Sequence, residues 1–198
     1  MTTADLLQRA LQHTDDPPLR PLPEQVADLL RRLDAPPRLA AHLRAVHDVA
    51  HQLADWTERR NPALSFDREA VLFGAATHDV GKTMYVAELT GPGSEHEEAG
   101  RRLLLAEGFA AHLARFAGTH ARWTDPEIGI EDLLVSLADK IWKNKRVQEL
   151  EDLLVARLAG ASGRAGWEEF LELDEELARV GEGADWRLAF QASYPVHG

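Results

Sequence analysis

The chain has 198 residues, of which 44% are hydrophobic, and it contains no cysteine. This length and hydrophobic content suffice for a buried core, and the lack of cysteine excludes disulfides, thiolate metal ligands and cysteine nucleophiles. The net charge of −11 argues against a broad grip on a nucleic-acid polymer, although a local positive pocket would still accept a small phosphate.

The sequence shows no signal for membrane insertion or secretion. No window approaches eighteen consecutive apolar residues, and the N-terminal stretch carries an early acid, Asp5, without a long apolar segment. We therefore expect a cytoplasmic protein without a membrane partner.

Periodic apolar residues predict helices from the start of the chain. Residues 3–13 read as a short amphipathic helix, and a second helix is predicted from Glu24 to Leu33. Between them, residues 15–23 contain acids and prolines that break the periodicity, which predicts a linker.

The next predicted helix runs from Pro37 to about Arg60 and places His42 on its apolar stripe. Val46 and Ala50 follow His42 at helical spacing, so the imidazole should point inward. Two interpretations remain open for His42: a core histidine bonded to a backbone carbonyl, or a metal ligand.

The same helix carries the sequence His47-Asp48-Val49-Ala50-His51. Two histidines at i, i+4 resemble a zinc-binding HExxH helix, but Asp48 is one methylene shorter than the glutamate that such a site uses as base. The pattern favours a solvated polar face over a protease-like zinc site.

A charge-free run from Ala70 to Thr77 lies within a predicted helix from Phe66 to Asp79 and ends at the pair His78-Asp79. An uncharged run of this length belongs to a segment that is buried on all sides. Buried polar groups are costly without partners, so the pair is either a helix cap with an internal hydrogen bond or part of a metal site. Asp67 is the expected N-cap, and Gly81 should end the helix and turn Lys82 over the site.

The following helix is predicted to begin with a capping box made by Ser94 and Glu97. His96 then falls in the first turn, beside Gly100, whose lack of a side chain would let another backbone approach closely. An exposed first-turn residue and a site residue are both consistent with the spacing of His96.

Further helices are predicted over Ala110–Gly118, whose apolar stripe His120 continues, and over Ile130–Lys143. Asp139 sits within the second of these, either as an i, i+4 salt-bridge partner of Lys143 or as a buried ligand. Strand signals are nearly absent from the whole chain, and the remaining helices are predicted over Val147–Leu158, Trp167–Val180 and Asp185–Ala192.

The order His42, His78-Asp79, Asp139 resembles the HD-domain superfamily of metal-dependent phosphohydrolases. The most specific pieces are His42 with its apolar stripe, His78-Asp79-Val80-Gly81-Lys82 and Leu137-Ala138-Asp139-Lys140. The resemblance covers roughly residues 38 to 146. Thr77 departs from it, because a bulkier aliphatic residue is commoner there.

The resemblance implies an all-α fold, an HD-domain helical bundle with extra N- and C-terminal helices. We expect residues 1–37 to form a helical extension with a proline-rich linker, residues 38–146 to form the HD core, and residues 147–198 to form helices that pack on it.

A metal site is the main implication of the resemblance, with His42, His78, Asp79 and Asp139 as ligands. Imidazole and carboxylate ligands suit divalent Mn, Fe, Co, Ni, Zn or Mg. His96 and His120 look like the additional histidines of many members, which would hold a second ion with Asp79 as the bridge. A single ion, with both histidines lining the substrate pocket, is the alternative.

Basic residues close to these motifs are the candidates for contacting a phosphate. Asp79 and Lys82 are the expected catalytic residues, and all four lysines of the chain lie near the motifs. The expected phosphate contacts are Lys82, Arg122, Lys140, Lys143 and Arg146.

The function that the resemblance implies is hydrolysis of a small phosphorylated metabolite, with a nucleotide as the expected class, by metal-activated water. A di-iron oxygenase is one alternative, which predicts iron, an oxygen requirement and no released phosphate. A non-catalytic nucleotide-binding module is the other, which predicts binding without turnover. The sequence makes no prediction of oligomeric state.

Overall fold

The computed structural model describes residues 2–14 and 19–196. Residues 15–18 of the predicted linker lie outside these ranges. The described chain is all-α, as predicted, with no strand in either range. Its α-helices are α1 (Thr3–Gln12), α2 (Glu24–Arg32), α3 (Pro37–Arg60), α4 (Arg68–Thr77), α5 (Glu95–Ala106), α6 (Ala111–Ala114), α7 (Phe116–Thr119), α8 (Ile130–Ile141), α9 (Gln148–Ser162), α10 (Gly166–Gly181) and α11 (Ala184–Ala192).

Helix α3 lies at the centre of the bundle and contacts α1, α4, α8 and α11. Its stripe residues Leu39, Leu43, Val46 and Leu53 are fully buried. Because neighbouring helices cover α3 on several sides, even most of its polar side chains are buried. The periodicity of α3 alone predicts burial of only one face of the helix.

Helix α4 is buried all round, as its uncharged run predicts. Every residue from Ala70 to Thr77 is buried, and the Asp67 side chain caps the helix by accepting a hydrogen bond from Ala70 N at 3.0 Å. The helix begins two residues later and ends two residues earlier than predicted. His78 and Asp79 therefore follow its last turn instead of belonging to it.

The prediction of one continuous helix over Ala110–Gly118 is wrong, because this segment is divided at Arg115 into α6 and α7. There the Gly118 N–H donates to the Arg115 carbonyl at 2.8 Å, three residues back, which tightens the chain locally.

Two short 3-10 helices, Val80–Thr83 and Val86–Leu89, connect α4 to α5. The first packs against α5 at a place where two glycines meet. A Cβ at Gly81 would lie 2.0 Å from the His96 carbonyl oxygen and 2.7 Å from Gly100 N. The close approach expected of Gly100 is confirmed, and its partner is the segment that carries the His-Asp pair.

The capping box predicted from Ser94 and Glu97 is absent, because the Ser94 side chain makes no cap hydrogen bond. Glu88 caps α5 in its place: its Oε1 accepts from Glu95 N at 3.2 Å and its Oε2 from His96 N at 3.3 Å. A carboxylate here also favours the positive end of the helix dipole.

The flanking helices pack on the same core as the central ones. Leu7 of α1, Leu177 of α10 and Phe190 of α11 belong to one continuous hydrophobic cluster with the residues of α3, α4 and α8. The boundaries at residues 37 and 146 remain predictions. None of the helices in residues 2–14 and 19–196 combines the length and apolarity that a bilayer crossing needs.

Candidate metal centre

Six imidazole and carboxylate side chains from five places in the fold converge in the interior. Each is between 0% and 8% exposed. They come from α3 (His42), the end of α4 (His78 and Asp79), α5 (His96), the end of α7 (His120) and α8 (Asp139).

The first group consists of His42, His78 and Asp139, whose ligand atoms all lie within 4.8 Å of one another. His78 Nε2 lies 3.3 Å from His42 Nε2 and 3.4 Å from Asp139 Oδ1. His42 Nε2 lies 3.8 Å from the same carboxylate oxygen. Three donors at such spacing can surround one ion.

The second group consists of Asp79, His96 and His120, again within 4.8 Å. Asp79 Oδ1 lies 3.0 Å from His96 Nε2 and 3.7 Å from His120 Nε2. The other oxygen, Oδ2, faces the first group, at 3.1 Å from His42 Nε2 and 3.6 Å from His78 Nε2. Asp79 therefore lies between the groups with one oxygen toward each.

Backbone carbonyls set the orientation of two of the rings. His78 Nδ1 lies 2.9 Å from the Ala75 oxygen, and His120 Nδ1 lies 3.1 Å from the Ala117 oxygen. Because a carbonyl only accepts, each Nδ1 carries a hydrogen, and each ring turns its Nε2 toward the cluster.

The His96 ring is held by Glu88, whose Oε2 makes a short contact with His96 Nδ1. On the other side of the ring, His96 Nε2 is buried and makes no hydrogen bond within the described part of the chain, although Asp79 Oδ1 lies 3.0 Å away. A buried nitrogen without a partner is costly, and a cation between these atoms would remove that cost.

Electrostatics keeps the carboxylates ionised in spite of their burial. Burial raises the pKa of Asp79, but His78, the contacts with His42 and His96, and Lys82 together bring that pKa well below its usual value. Burial likewise opposes ionisation of Asp139, yet the attraction of His78 and Lys140 lowers its pKa.

Burial lowers the pKa of a histidine, because it disfavours the charged imidazolium. It lowers the pKa of His42, and it lowers the pKa of His120 to about 4, so both rings are neutral near pH 7. Burial also lowers the pKa of His96, but Asp79 and Glu88 outweigh it and raise that pKa above its usual value. Binding a cation there would displace the proton.

These side chains fit the divalent metal that the resemblance implies. Neutral imidazole nitrogens and ionised carboxylate oxygens are the ligand types that Mn, Fe, Co, Ni and Zn accept. The Nε2 atoms of His78, His96 and His120 lie 3.4, 3.0 and 3.7 Å from a carboxylate oxygen of the cluster, so a cation there would meet nitrogen and oxygen ligands together.

Lysines neutralise the carboxylates at the wall of the site. Lys82 Nζ lies 2.6 Å from Asp79 Oδ2, and Lys140 Nζ lies 2.6 Å from Asp139 Oδ2. Asp139 thus pairs with its neighbour Lys140, in contrast to the i, i+4 bridge to Lys143 considered from the sequence. Lys143 is exposed and lines the cavity beside His42 and Asp79.

Two predicted phosphate contacts lie elsewhere. The Arg146 guanidinium donates to both Glu151 carboxylate oxygens, at 2.9 and 2.7 Å, and to Asp174 at 2.8 Å. Arg146 therefore belongs to a structural ion-pair network. Arg122 lines a separate cavity with Thr119. Its positive charge acts on Glu97, the residue after His96, where it opposes the rise in the pKa of that carboxyl that burial causes.

A cavity of about 350 Å³ opens beside the metal centre. Of the three lysines predicted to contact a phosphate, Lys82 and Lys143 line this cavity and Lys140 does not. The wall also includes residues that the sequence did not single out. Its lining residues include His42, Asp79, Lys82, Trp142, Lys143 and Gln191.

The solvated polar face predicted for His47 and Asp48 is wrong, because both side chains are buried. Asp48 Oδ1 accepts a hydrogen bond from Arg20 Nη1 at 2.9 Å, and burial lowers the pKa of His47 to about 3. His47 and His51 line a different cavity, of about 480 Å³. Within the described part of the chain, no third ligand atom joins this pair in a metal-sized group.

Sequence reasoning missed Glu88 and Gln191 because neither lies in a motif. Glu88 precedes His96 by eight residues in a segment without periodicity, and Gln191 lies outside the region of resemblance. Only their position in space connects them to the site.

Comparison with known proteins identifies the family. No curated protein and no solved structure matches the chain significantly. The family model described as HD domain matches residues 39–142, which is more than half of the chain and contains all six side chains of the cluster. The chain belongs to the HD-domain family.

Proposed function

We propose that the protein is a metal-dependent phosphohydrolase that acts on a small phosphorylated metabolite, with a nucleotide as the expected class. The observation that carries the proposal is the position of Asp79, with one oxygen toward His42 and His78 and the other toward His96 and His120. In this arrangement His42, His78 and Asp139 would hold one divalent ion and His96 and His120 a second, and Asp79 would offer an oxygen to each.

When bound, such ions lower the pKa of water and offset the charge of a phosphoryl group. The Asp79 and Asp139 carboxylates supply the negative charge that holds the ions, and the four histidines complete the ligand set. Burial of all six side chains keeps bulk water away, which strengthens each of these electrostatic contacts.

The phosphate itself is assigned to Lys82 and Lys143. Both line the cavity that contains His42 and Asp79, so two ammonium groups can reach an anion bound there. Lys82 Nζ is close to Asp79, so a phosphate oxygen bound by Lys82 would lie at the edge of the metal centre. The small cavity volume supports a metabolite over a polymer.

The test measures bound metal and phosphate release in parallel. The purified protein should bind two divalent ions per chain and release phosphate from at least one ester in a panel of phosphorylated metabolites. The double variant His78→Ala/Asp79→Ala should lose both ions and at least about 10³-fold in rate, because several kcal/mol of transition-state stabilisation depend on the metals.

Asp79→Asn serves as a second variant that keeps the shape of the side chain, and the exposed His112→Ala serves as the control that should retain metal and rate. Full activity in the double variant would contradict the proposal. A product formed only with iron and oxygen, without released phosphate, would favour the oxygenase alternative.

A further inference from the structure

The residues from Met84 to Gly93, here called the lid segment, form part of the wall of the cavity beside the metal centre. Four consecutive residues of this segment line the cavity: Glu88, Leu89, Thr90 and Gly91. His42 and Asp79 line the same cavity. A molecule bound there would therefore lie between the lid segment and two of the metal-ligating side chains.

The lid segment is held loosely by the rest of the fold. None of its residues is buried, and Leu89 is its one side chain that packs against the hydrophobic core among the residues that the structure describes. The backbone hydrogen bonds that it donates are local and end on the carbonyls of Gly81, Tyr85 and Ala87. Few buried contacts and local backbone bonds characterise segments that open at a low cost in free energy.

One side chain connects the lid segment to the helix that carries a metal ligand. Glu88 Oε1 accepts from Glu95 N at 3.2 Å, and its Oε2 accepts from His96 N at 3.3 Å and makes the short contact with His96 Nδ1. In residues 2–14 and 19–196, no other side chain of the lid segment makes a hydrogen bond or an ion pair. Opening of the lid segment therefore requires Glu88 to leave His96.

The opposite side of the same ring faces the metal centre. His96 Nε2 lies 3.0 Å from Asp79 Oδ1 and belongs to the second ligand group. An ion in that group would hold the ring through Nε2, while Glu88 holds it through Nδ1. Each contact fixes the ring orientation that the other needs, so each favours the other to the same extent.

We propose that Met84–Gly93 is a lid over the cavity, which Glu88 fastens to the ring of His96, so that closure of the lid and binding of the ion by His96 favour each other. When Glu88 leaves the ring, the lid opens and the cavity admits a ligand. This inference rests on the metal-binding part of the proposed function and is independent of the reaction that the centre catalyses.

The first experiment measures amide hydrogen exchange in chelator-treated wild type and in Glu88→Gln. The N–H groups of Thr90 and Gly91 are the informative ones, because they donate to the Ala87 carbonyl and make no bond to Glu88. Opening of the lid should make them exchange at least about tenfold faster in the variant, as loss of a charged hydrogen-bond partner causes. A capping defect without lid opening would affect only the Glu95 and His96 N–H groups.

Two references accompany this comparison. Glu95→Gln is the matched control, because it removes an exposed carboxylate next to His96 and should leave the exchange of Thr90 and Gly91 unchanged. Exchange in the buried helix α8 reports general loss of stability, and all rates are taken relative to it. Equal relative rates for Thr90 and Gly91 in Glu88→Gln and wild type would overturn the inference.

The second experiment adds manganese to the wild type, which avoids any variant that folds poorly. Because the coupling is reciprocal, saturating metal should slow the exchange of Thr90 and Gly91 about tenfold or more, the factor by which Glu88 strengthens binding of that ion. Two bound ions without slower exchange would overturn the inference and leave metal binding intact. If no ion binds, the proposed metal-dependent function fails, and the lid is judged on the metal-free comparison alone.

Discussion

At the scale of single residues, the site depends on the contacts that orient the metal-ligating side chains as much as on those side chains themselves. Asp79 contributes because its two oxygens face different histidine pairs. His78 and His120 contribute because backbone carbonyls hold their Nδ1 atoms, which turns each Nε2 toward the cluster. Such contacts behind a metal ligand set its orientation.

Glu88 has the same function for His96 and can be tested separately. The variant Glu88→Gln keeps the size of the side chain but removes the charge that orients the ring and makes it more basic. We expect the ion that His96 would hold to lose about 10–100-fold in affinity, while the ion of the first group is retained. Metal titration in competition with a chelator measures both affinities.

Glu95→Gln is the matched control, since Glu95 is exposed and adjacent to His96 but does not contact its ring. Unchanged affinity for both ions in Glu88→Gln would show that His96 does not depend on Glu88 for metal binding.

At the scale of elements, the junction between α4 and α5 brings the two ligand groups together. The 3-10 helix after His78-Asp79 lies against the first turns of α5 because neither Gly81 nor Gly100 has a side chain. That contact sets the distance between Asp79 and His96. A change at this junction is therefore expected to alter both stability and metal binding.

The variant Gly81→Ala tests this coupling. Its Cβ would meet backbone atoms of α5 at 2.0 Å, which cannot be relieved by rotating a side chain. We expect the free energy of unfolding to fall by about 3 kcal/mol, together with loss of the ion bound by His96. Urea denaturation and metal counting measure the two effects.

Gly160→Ala is the matched control within α9, because no atom lies within 4 Å of its added Cβ. That variant should gain about 0.5–1 kcal/mol from helix propensity and keep its metal content. Equal stability of the two variants would argue against a tight contact at Gly81.

At the scale of the whole molecule, buried neutral histidines make stability depend on pH. Burial lowers the pKa of His47 to about 3, below its unfolded value of 6.5. Between these values the unfolded chain binds the proton and the folded one does not. The stabilisation from a neutral His47 is therefore complete above pH 6.5 and is lost as the pH falls toward 3.

We expect His47→Gln to make the metal-free protein less sensitive to acid. Between pH 6 and pH 4 the wild type should lose about 2.5 kcal/mol more of its free energy of unfolding than the variant. Denaturation of chelator-treated protein at several pH values measures this difference. His112→Gln, at an exposed histidine, is the control, and equal pH dependence of His47→Gln and wild type would contradict the prediction.

Much of the fold and of the metal centre was determined by sequence pattern alone. The uncharged run before His78-Asp79, the inward stripe of His42 and the continuation of a stripe by His120 each reflect a period that burial imposes locally. The all-α class was therefore predictable from pattern. Spacing alone left His42, His96 and Asp139 open, and the resemblance to the HD-domain superfamily joined them with His78, Asp79 and His120 into one expected site, with Asp79 between two groups as one of two alternatives.

Tertiary packing decided what lies outside local periodicity. His47 and Asp48 are buried because neighbouring helices cover a face of α3 that its own sequence marks as polar. Glu88, in place of Ser94, caps α5, and Arg146 pairs with Glu151 instead of facing the cavity. Gln191 reaches the metal-site wall only because α11 folds back on α3 and Trp142. Local spacing sets which way a side chain points on its own helix, but the neighbour that it meets depends on how distant segments pack.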